Sequence, residues 1–410
     1  MATEQSPPLN VPPEAEWGPH FDVARATDAY LAIVPAADRE KSDAYFEGGY
    51  WIEAWSSLIA VLLAWLLLRA RFAARLRDWA AGRGYGPSFQ ALFVAAGFLL
   101  AIAILILPWT LYTDYFREHQ YGMSNYSIGG FLGEWAINVA LTTVFGGLVI
   151  AGIYAIVRRV RDRWVYWATA LTGLFLLFVT LIEPVFLAPI FNDYQPLPQG
   201  EVRESILRLA RETGVPADDV YWFDASKQTK RISANVSGMA GTTRIALNDN
   251  LMNGTTLPEI RAVMGHEMGH YKLHHGLWLV LLLSVVLGFG YWSVNRLFGT
   301  FQRRHGERWG VRDLADPAGL PLAFAIFIVI MYLLTPVTNT ISRTAEHQAD
   351  AFGLDTAREP YGFARVSMRL SSYRKLEPAR LEEIIFYDHP SGRARVERSM
   401  RWLAAHPPSQ

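Results

Sequence analysis

Long apolar runs and polar stretches alternate along the chain, and that alternation predicts most of its architecture. Apolar residues crowd into residues 51–68, 91–112, 131–157, 164–191, 276–298 and 320–337. Each run approaches or exceeds the ~20 residues that a helix needs to cross ~30 Å of hydrocarbon. The pattern therefore predicts a mainly α, polytopic membrane protein of about six spans. Before the first span lies a Pro-rich, acidic tract, residues 1–20, without the basic start and apolar run of a cleavable signal peptide; it reads as a mobile tail. Between the fourth and fifth spans, residues 192–272 are polar and mixed and read as a small α+β insert. There Val202, Ile206, Leu207 and Leu209 recur at helical spacing across 201–213, and 220–223 reads as a short strand. Residues 231–238 and 243–247 read as a hairpin about a turn at 238–241. From Pro258 a helical pattern runs on into the fifth span, and the polar tail 342–405 is again helical, interrupted near Pro390. The chain thus divides into a tail with an interfacial segment (1–50), a four-span region (51–191) and a region of insert, two spans and helical tail (192–410).

Charge and composition remove whole classes of function. Acidic and basic residues number 38 each, which leaves no net field to draw in nucleic acid. Cysteine is absent, which excludes disulfides, thiolate metal sites and a cysteine nucleophile. Arginine greatly outnumbers lysine, a bias typical of GC-rich bacterial genomes, so a bacterial inner membrane is the expected location.

Chemistry concentrates in His266-Glu267-x-x-His270. Residues four apart on a helix point the same way, so both imidazoles can grip one metal ion, with Glu267 beside its open position. Two neutral imidazoles and a carboxylate suit one zinc ion and leave room for a water that the ion acidifies. Glu267 can take that water's proton and pass it to a leaving amine. The third ligand is sought in 342–350, where Glu346 and Asp350 stand one helical turn apart. Glu346 can ligate and Asp350 can orient an imidazole; His347 is the rival ligand, although its side chain points about 100° from Glu346. The fifth span leaves the side of the first motif and the sixth returns to it, as a shared site requires. His274 and His275 read as interfacial anchors, as do Trp51, Trp109 and Trp164 at span ends. Glu134 and Glu183, in or beside apolar runs, call for a polar cavity or a partner.

With these residues in view the chain resembles the type I CAAX prenyl endopeptidases, membrane-embedded gluzincin proteases. The resemblance runs from about Asp38 onward: Lys41-Ser42, Leu107-Pro108-Trp109 to Gly122, Pro189-Ile190-Phe191-Asn192, Pro196-Leu197-Pro198, Ala234-Asn235-Val236-Ser237-Gly238, the two motifs above, and His389-Pro390-Ser391 followed by Arg395. Two departures stand out: the first span of eukaryotic members is missing, and 117–122 matches their acidic, glycine-containing loop only loosely. The resemblance implies a chamber enclosed by helices, with His266, His270 and Glu346 as zinc ligands, Glu267 as general base and Asp350 as the partner that orients a ligand. It also implies that His389 contacts the substrate near the scissile carbonyl, where it can stabilise an oxyanion, and that Arg395 matches the arginine downstream of it in the substrate site. Asn235 falls on the hairpin edge, where an extended peptide can add as a strand.

The expected partners are a peptide or protein substrate, lipidated if the family's habit holds, and membrane lipid. A quality-control protease without a prenyl requirement is the nearest rival, and a transporter or receptor with a structural metal site is the rival from another class. Sidedness divides the readings. Short loops after the first, third and fifth spans carry Arg69, Arg71, Arg75, Arg77 and Arg83, then Arg158, Arg159, Arg161 and Arg163, then Arg303, Arg304, Arg308 and Arg312. Basic short loops stay cytoplasmic, which places the metal motif on the outer face, whereas the eukaryotic family resemblance implies the cytosolic face.

Overall fold

The computed structural model describes residues 9–238 and 243–408. Four helical stretches among them are long and apolar enough to cross a bilayer, Ala36–Arg69, Pro87–Tyr121, Ile128–Phe191 and His275–Trp309. A fifth, Pro317–Leu333 continuing as Thr335–Ala357, qualifies across a bend of 53°. Ile128–Phe191 is 64 residues long, about three times the ~20 residues that one crossing needs, and it folds back at Arg161, whose φ is 40°. Val157 packs with Trp164 and Ala168, and Gly152 lies against Leu171, so its two halves run antiparallel. The five stretches therefore make six legs. Leu58, Leu174 and Val285 point outward from them, as lipid-facing positions must.

The sixth leg stops at Leu333 because Pro336 follows. A proline early in a helix is tolerated, but it cannot extend the preceding one, since it lacks the N–H and crowds the turn before it. A new helix starts at Thr335 and runs unbroken to Ala357. Trp164 is no interfacial anchor: it is 3% exposed and donates Nε1 to Asn295 Oδ1 at 2.9 Å. Trp109 likewise donates to Ser56 Oγ at 2.8 Å, whereas Trp51 is 69% exposed. Two of the three arginine-rich loops, those after the first and fifth spans, are stapled together by Arg77, which pairs with Asp316 as well as with its neighbour Asp78.

The polar insert forms a four-stranded sheet, β1 (Tyr194–Pro196), β2 (Val220–Phe223), β3 (Ala234–Ser237) and β4 (Arg244–Asn248), in the order β1-β2-β4-β3. The hairpin is present as the antiparallel β3–β4 pair, with most of its turn outside the described residues. Strand β1 and the parallel pairing of β2 with β4 carry no local signal. The helix Glu201–Thr213 covers one face, burying Ile206 and Leu209 against Val220, Ile245 and Leu247. Ile260, Met264 and Met268 of the helix Leu257–Lys272 join the same core. A capping box at Thr256 and Glu259 starts that helix, satisfying backbone donors its first turn would leave free.

Residues 9–20 are not a loose tail. Leu9, Val11 and buried Ala15 pack with Tyr30 and Leu31 against Met368, Val396, Met400 and Leu403, and Trp17 N donates to the Tyr361 hydroxyl at 2.9 Å. The N-terminal tract and the C-terminal helix Gly392–Ala405 thus share one core.

Candidate active site

Two helices build the site, and small residues let them touch. The motif helix Leu257–Lys272 carries Gly265 and Gly269, and the acid helix Thr335–Ala357 carries Ala349, Gly353 and Ala357 opposite them. A Cβ on Gly269 would stand 3.1 Å from the Ala349 Cα, and one on Gly353 only 2.8 Å from the His266 amide nitrogen. Larger side chains would wedge the pair apart. With the backbones this close, Glu346 faces both motif histidines, although it comes from the far side of the two last legs.

His266 Nε2 lies 3.1 Å from His270 Nε2 and 3.2 Å from Glu346 Oε2, and His270 Nε2 lies 3.3 Å from Glu346 Oε1. Ligand atoms about 2.0–2.2 Å from a tetrahedral zinc ion stand roughly 3.3–3.5 Å from one another. The three residues, which among the described residues form the single cluster of this kind, fit that ion. Glu346 Oε2 points the same way: it is buried without an aligned hydrogen bond, despite the imidazole beside it. His347, the rival, is turned away and meets Arg398 Nη2 through Nδ1.

Each histidine is held from behind. His266 Nδ1 lies 2.8 Å from Asp350 Oδ1, and Arg395 grips the same carboxylate through Nη2 and Nε at 2.5 and 3.0 Å. Asp350 is 0% and Arg395 8% exposed. Arg395 lines the cleft, but its guanidinium is engaged with Asp350. His270 Nδ1 lies 3.0 Å from His275 Nδ1, and His275 Nε2 lies 3.0 Å from Gln348 Oε1. The proton positions follow from the chemistry: a ligating His270 Nε2 carries no proton, so Nδ1–H donates to His275, whose Nε2–H donates to Gln348.

Reading His275 as an interfacial anchor was therefore mistaken; it is buried in the site. On a continuous helix, residues five apart diverge by about 140°, which is why no sequence signal marked it. The motif helix in fact ends at Lys272, and His274, at φ 55°, breaks the path before the next helix begins at His275. That break brings His275 back onto His270.

Glu267 opens into a cleft of about 210 Å³ also lined by Ile232, Ser233, Ala234, Arg374 and His389. Burial pushes its carboxyl above the usual range, and the positive field of His266 and His270 offsets part of that. His389, on the loop before the last helix, holds Nε2 3.4 Å from Glu346 Oε2 while Nδ1 meets Asp388 Oδ1 at 2.8 Å. Burial opposes ionisation of Asp388, but the hydrogen bond with His389 prevails and holds its carboxyl below the usual range. Strand β3 forms the sheet edge along the cleft. Asn248 N donates to Ser233 O at 2.9 Å, and Asn235 stands opposite Ala246. Alternation in an antiparallel ladder then turns the Asn235 main chain inward to β4 and leaves the N–H and C=O of Ala234 and Val236 facing out. The Asn235 side chain accepts from Ser237 Oγ at 3.2 Å.

Beside the cleft opens a larger cavity of about 950 Å³, lined by Tyr45, Tyr50, Glu53, Arg231, Tyr373 and Arg374 among others. Glu134 is partnered at its rim, accepting from Tyr126 OH at 2.5 Å and from Gln228 Nε2 at 2.8 Å. Glu183, by contrast, is exposed.

Residues 196–410 match peptidase family M48, and residues 23–193 match the CAAX prenyl protease N-terminal family of five membrane helices. The chain belongs to peptidase family M48. Its relatives include an uncharacterized metalloprotease, YhfN, of Bacillus subtilis (29% identical; 74% of this chain, 72% of that protein). Another is a CAAX prenyl protease 1 homolog of Dictyostelium discoideum (31% identical; 63% of this chain, 61% of that protein). The fold of this M48 protein is that of a crystal structure of S. mikatae Ste24p, with a TM-score of 0.74 over 90% of this chain and 89% of the other at 21% identity. It is an integral membrane protein of a metalloprotease family, built as a helical chamber with a small sheet.

Proposed function

We propose that the protein is a zinc endopeptidase that cleaves peptides reaching the chamber from the membrane, with CAAX-type prenylated chains as the first candidates. The observation that carries this reading is the convergence of His266, His270 and Glu346 at ligand spacing, with Glu267 lining the cleft beside them. A structural metal site would have no use for such a carboxylate, which speaks against a transporter or receptor. Zinc held by the three residues supplies a Lewis acid that makes water acidic near neutral pH.

The chain's own groups do the rest. Glu267 accepts a proton from the attacking water and returns it to the leaving amine. His389 Nε2 stands where it can donate to the oxygen that becomes negative at the scissile carbonyl, with Asp388 fixing its ring. Asp350, gripped by Arg395, keeps the His266 ring in the ligating tautomer, so Arg395 acts on the substrate site through Asp350. Substrate lies along β3 as an added strand, pairing with the outward groups of Ala234 and Val236, and Asn235 helps to shape that strand.

The test is Glu267→Gln, expected to abolish hydrolysis while one zinc per chain remains, with Glu346→Ala losing zinc as well. Turnover and metal content are measured together, and substantial cleavage by the first variant would overturn the mechanism. A non-prenylated control peptide decides between prenyl-dependent processing and general quality control. The relatives named CAAX proteases favour the former, and a Bacillus relative keeps the latter in view. The clustered arginines on the loops away from the metal residues favour an outer-face site in a bacterial inner membrane, by the rule that basic short loops stay cytoplasmic, against the cytosolic face that the eukaryotic relatives suggest. A reporter fused after Gln410 should be active only outside the cytoplasm; a cytoplasmic signal reverses the sidedness and leaves the chemistry intact.

A further inference from the structure

We propose that Arg374 is an anchor for a carboxylate of the bound peptide, set in the wall shared by the cleft and the larger cavity. The proposal rests on the endopeptidase reading and adds a substrate feature to it. Four arginines surround these cavities, and three are committed. Arg395 is gripped by Asp350, Arg231 donates to Glu118 Oε2 at 2.8 Å and to the Tyr45 hydroxyl at 2.5 Å, and Arg117 donates to the Tyr45 carbonyl. Arg374 makes no side-chain hydrogen bond or ion pair with any described residue, and its Nη1 is wholly buried without a partner. It lines both cavities, together with Tyr373.

An unpaired guanidinium is costly to keep out of water, and burial weakens its hold on the proton. The two acids nearest in the field have other work: Asp388 holds His389, and Glu346 stands with the metal-site histidines. The backbone of Arg374 is pinned, its carbonyl accepting from Ser42 Oγ at 3.2 Å, so the group is placed and not merely tethered. A planar guanidinium offers parallel N–H donors that match a carboxylate. A peptide brings such a group in two ways, as its C-terminus or as an acidic side chain. The cleft runs from Glu267 and His389 to Arg374, so a carboxylate held there lies on the same peptide whose bond faces the metal residues.

The experiment uses the full-length, zinc-loaded protein and three peptides that differ only at the C-terminal residue. These are a farnesylated octapeptide with a free C-terminus, its C-terminal amide, and the amide with glutamate as the last residue. Wild type should favour the free acid over the plain amide by about 10- to 100-fold in kcat/KM, mostly through KM. Recovery by the glutamate amide assigns the site to a side-chain carboxylate; no recovery assigns it to the terminus. Arg374→Gln should process acid and amide alike with zinc content unchanged, and Arg374→Lys should keep part of the preference. Binding of the same peptides to Glu267→Gln protein gives the same ranking without turnover. A free-acid preference that persists in Arg374→Gln, or wild type that distinguishes none of the three in binding or cleavage, overturns the proposal. Selective binding without any cleavage by wild type would leave the anchor standing and remove the endopeptidase reading.

Discussion

The two motif histidines are oriented by arms of opposite character. Behind His266 stands an ionic arm, Asp350 and Arg395, sealed in the protein. Behind His270 stands a neutral arm, His275 and Gln348, whose outer member reaches solvent. Both fix a tautomer, but their failure modes differ. Removing one member of a buried ion pair strands a charge that nothing else can solvate. Removing His275 strands no charge, and the Gln348 amide it leaves behind is exposed, so water can satisfy it. The same positioning task therefore carries a large structural penalty on one side of the site and a small one on the other.

The largest effect is expected from Asp350→Asn. Arg395 keeps its burial and loses its countercharge, so stability should fall by about 3–5 kcal/mol and zinc affinity by about 10- to 100-fold. Denaturation in detergent and zinc titration read the two separately. Pairing it with Arg395→Met should restore much of the stability and none of the zinc affinity, because removing both charges leaves no stranded ion. If the single variant unfolds like wild type, the ionic arm is not what holds this side.

His275→Phe should do less. The ring keeps its volume in the buried space, so the unfolding transition should move little. The His270 Nδ1–H loses its acceptor, and zinc affinity should drop about 10-fold, the lower end of such effects. A loss of zinc affinity matching that of Asp350→Asn would erase the contrast between the arms, and no loss at all would make His275 a packing residue.

Much of this protein was legible along the chain because the signals are local. Six apolar runs become six legs, since span length is a matter of consecutive residues. The helix Glu201–Thr213 and the strand Val220–Phe223 fall where their periodicity puts them, and His266 and His270 share a face because four residues make about one turn. Tertiary structure decided everything that depends on which surfaces meet. Gly265 and Gly269 against Ala349 and Gly353 bring Glu346 within 3.3 Å of both histidines, a closeness that no spacing within either motif encodes. The left-handed His274 turns its neighbour from a membrane anchor into a support for His270. Ladder alternation, set by the β3–β4 register, moves the free strand edge from Asn235 to Ala234 and Val236. Whether an arginine is spent or free is likewise settled by distant neighbours: Arg395 meets Asp350, and Arg374 meets no acid among the described residues. Periodicity fixes which way a side chain points from its own backbone, and only the packing of separate segments fixes what it finds there.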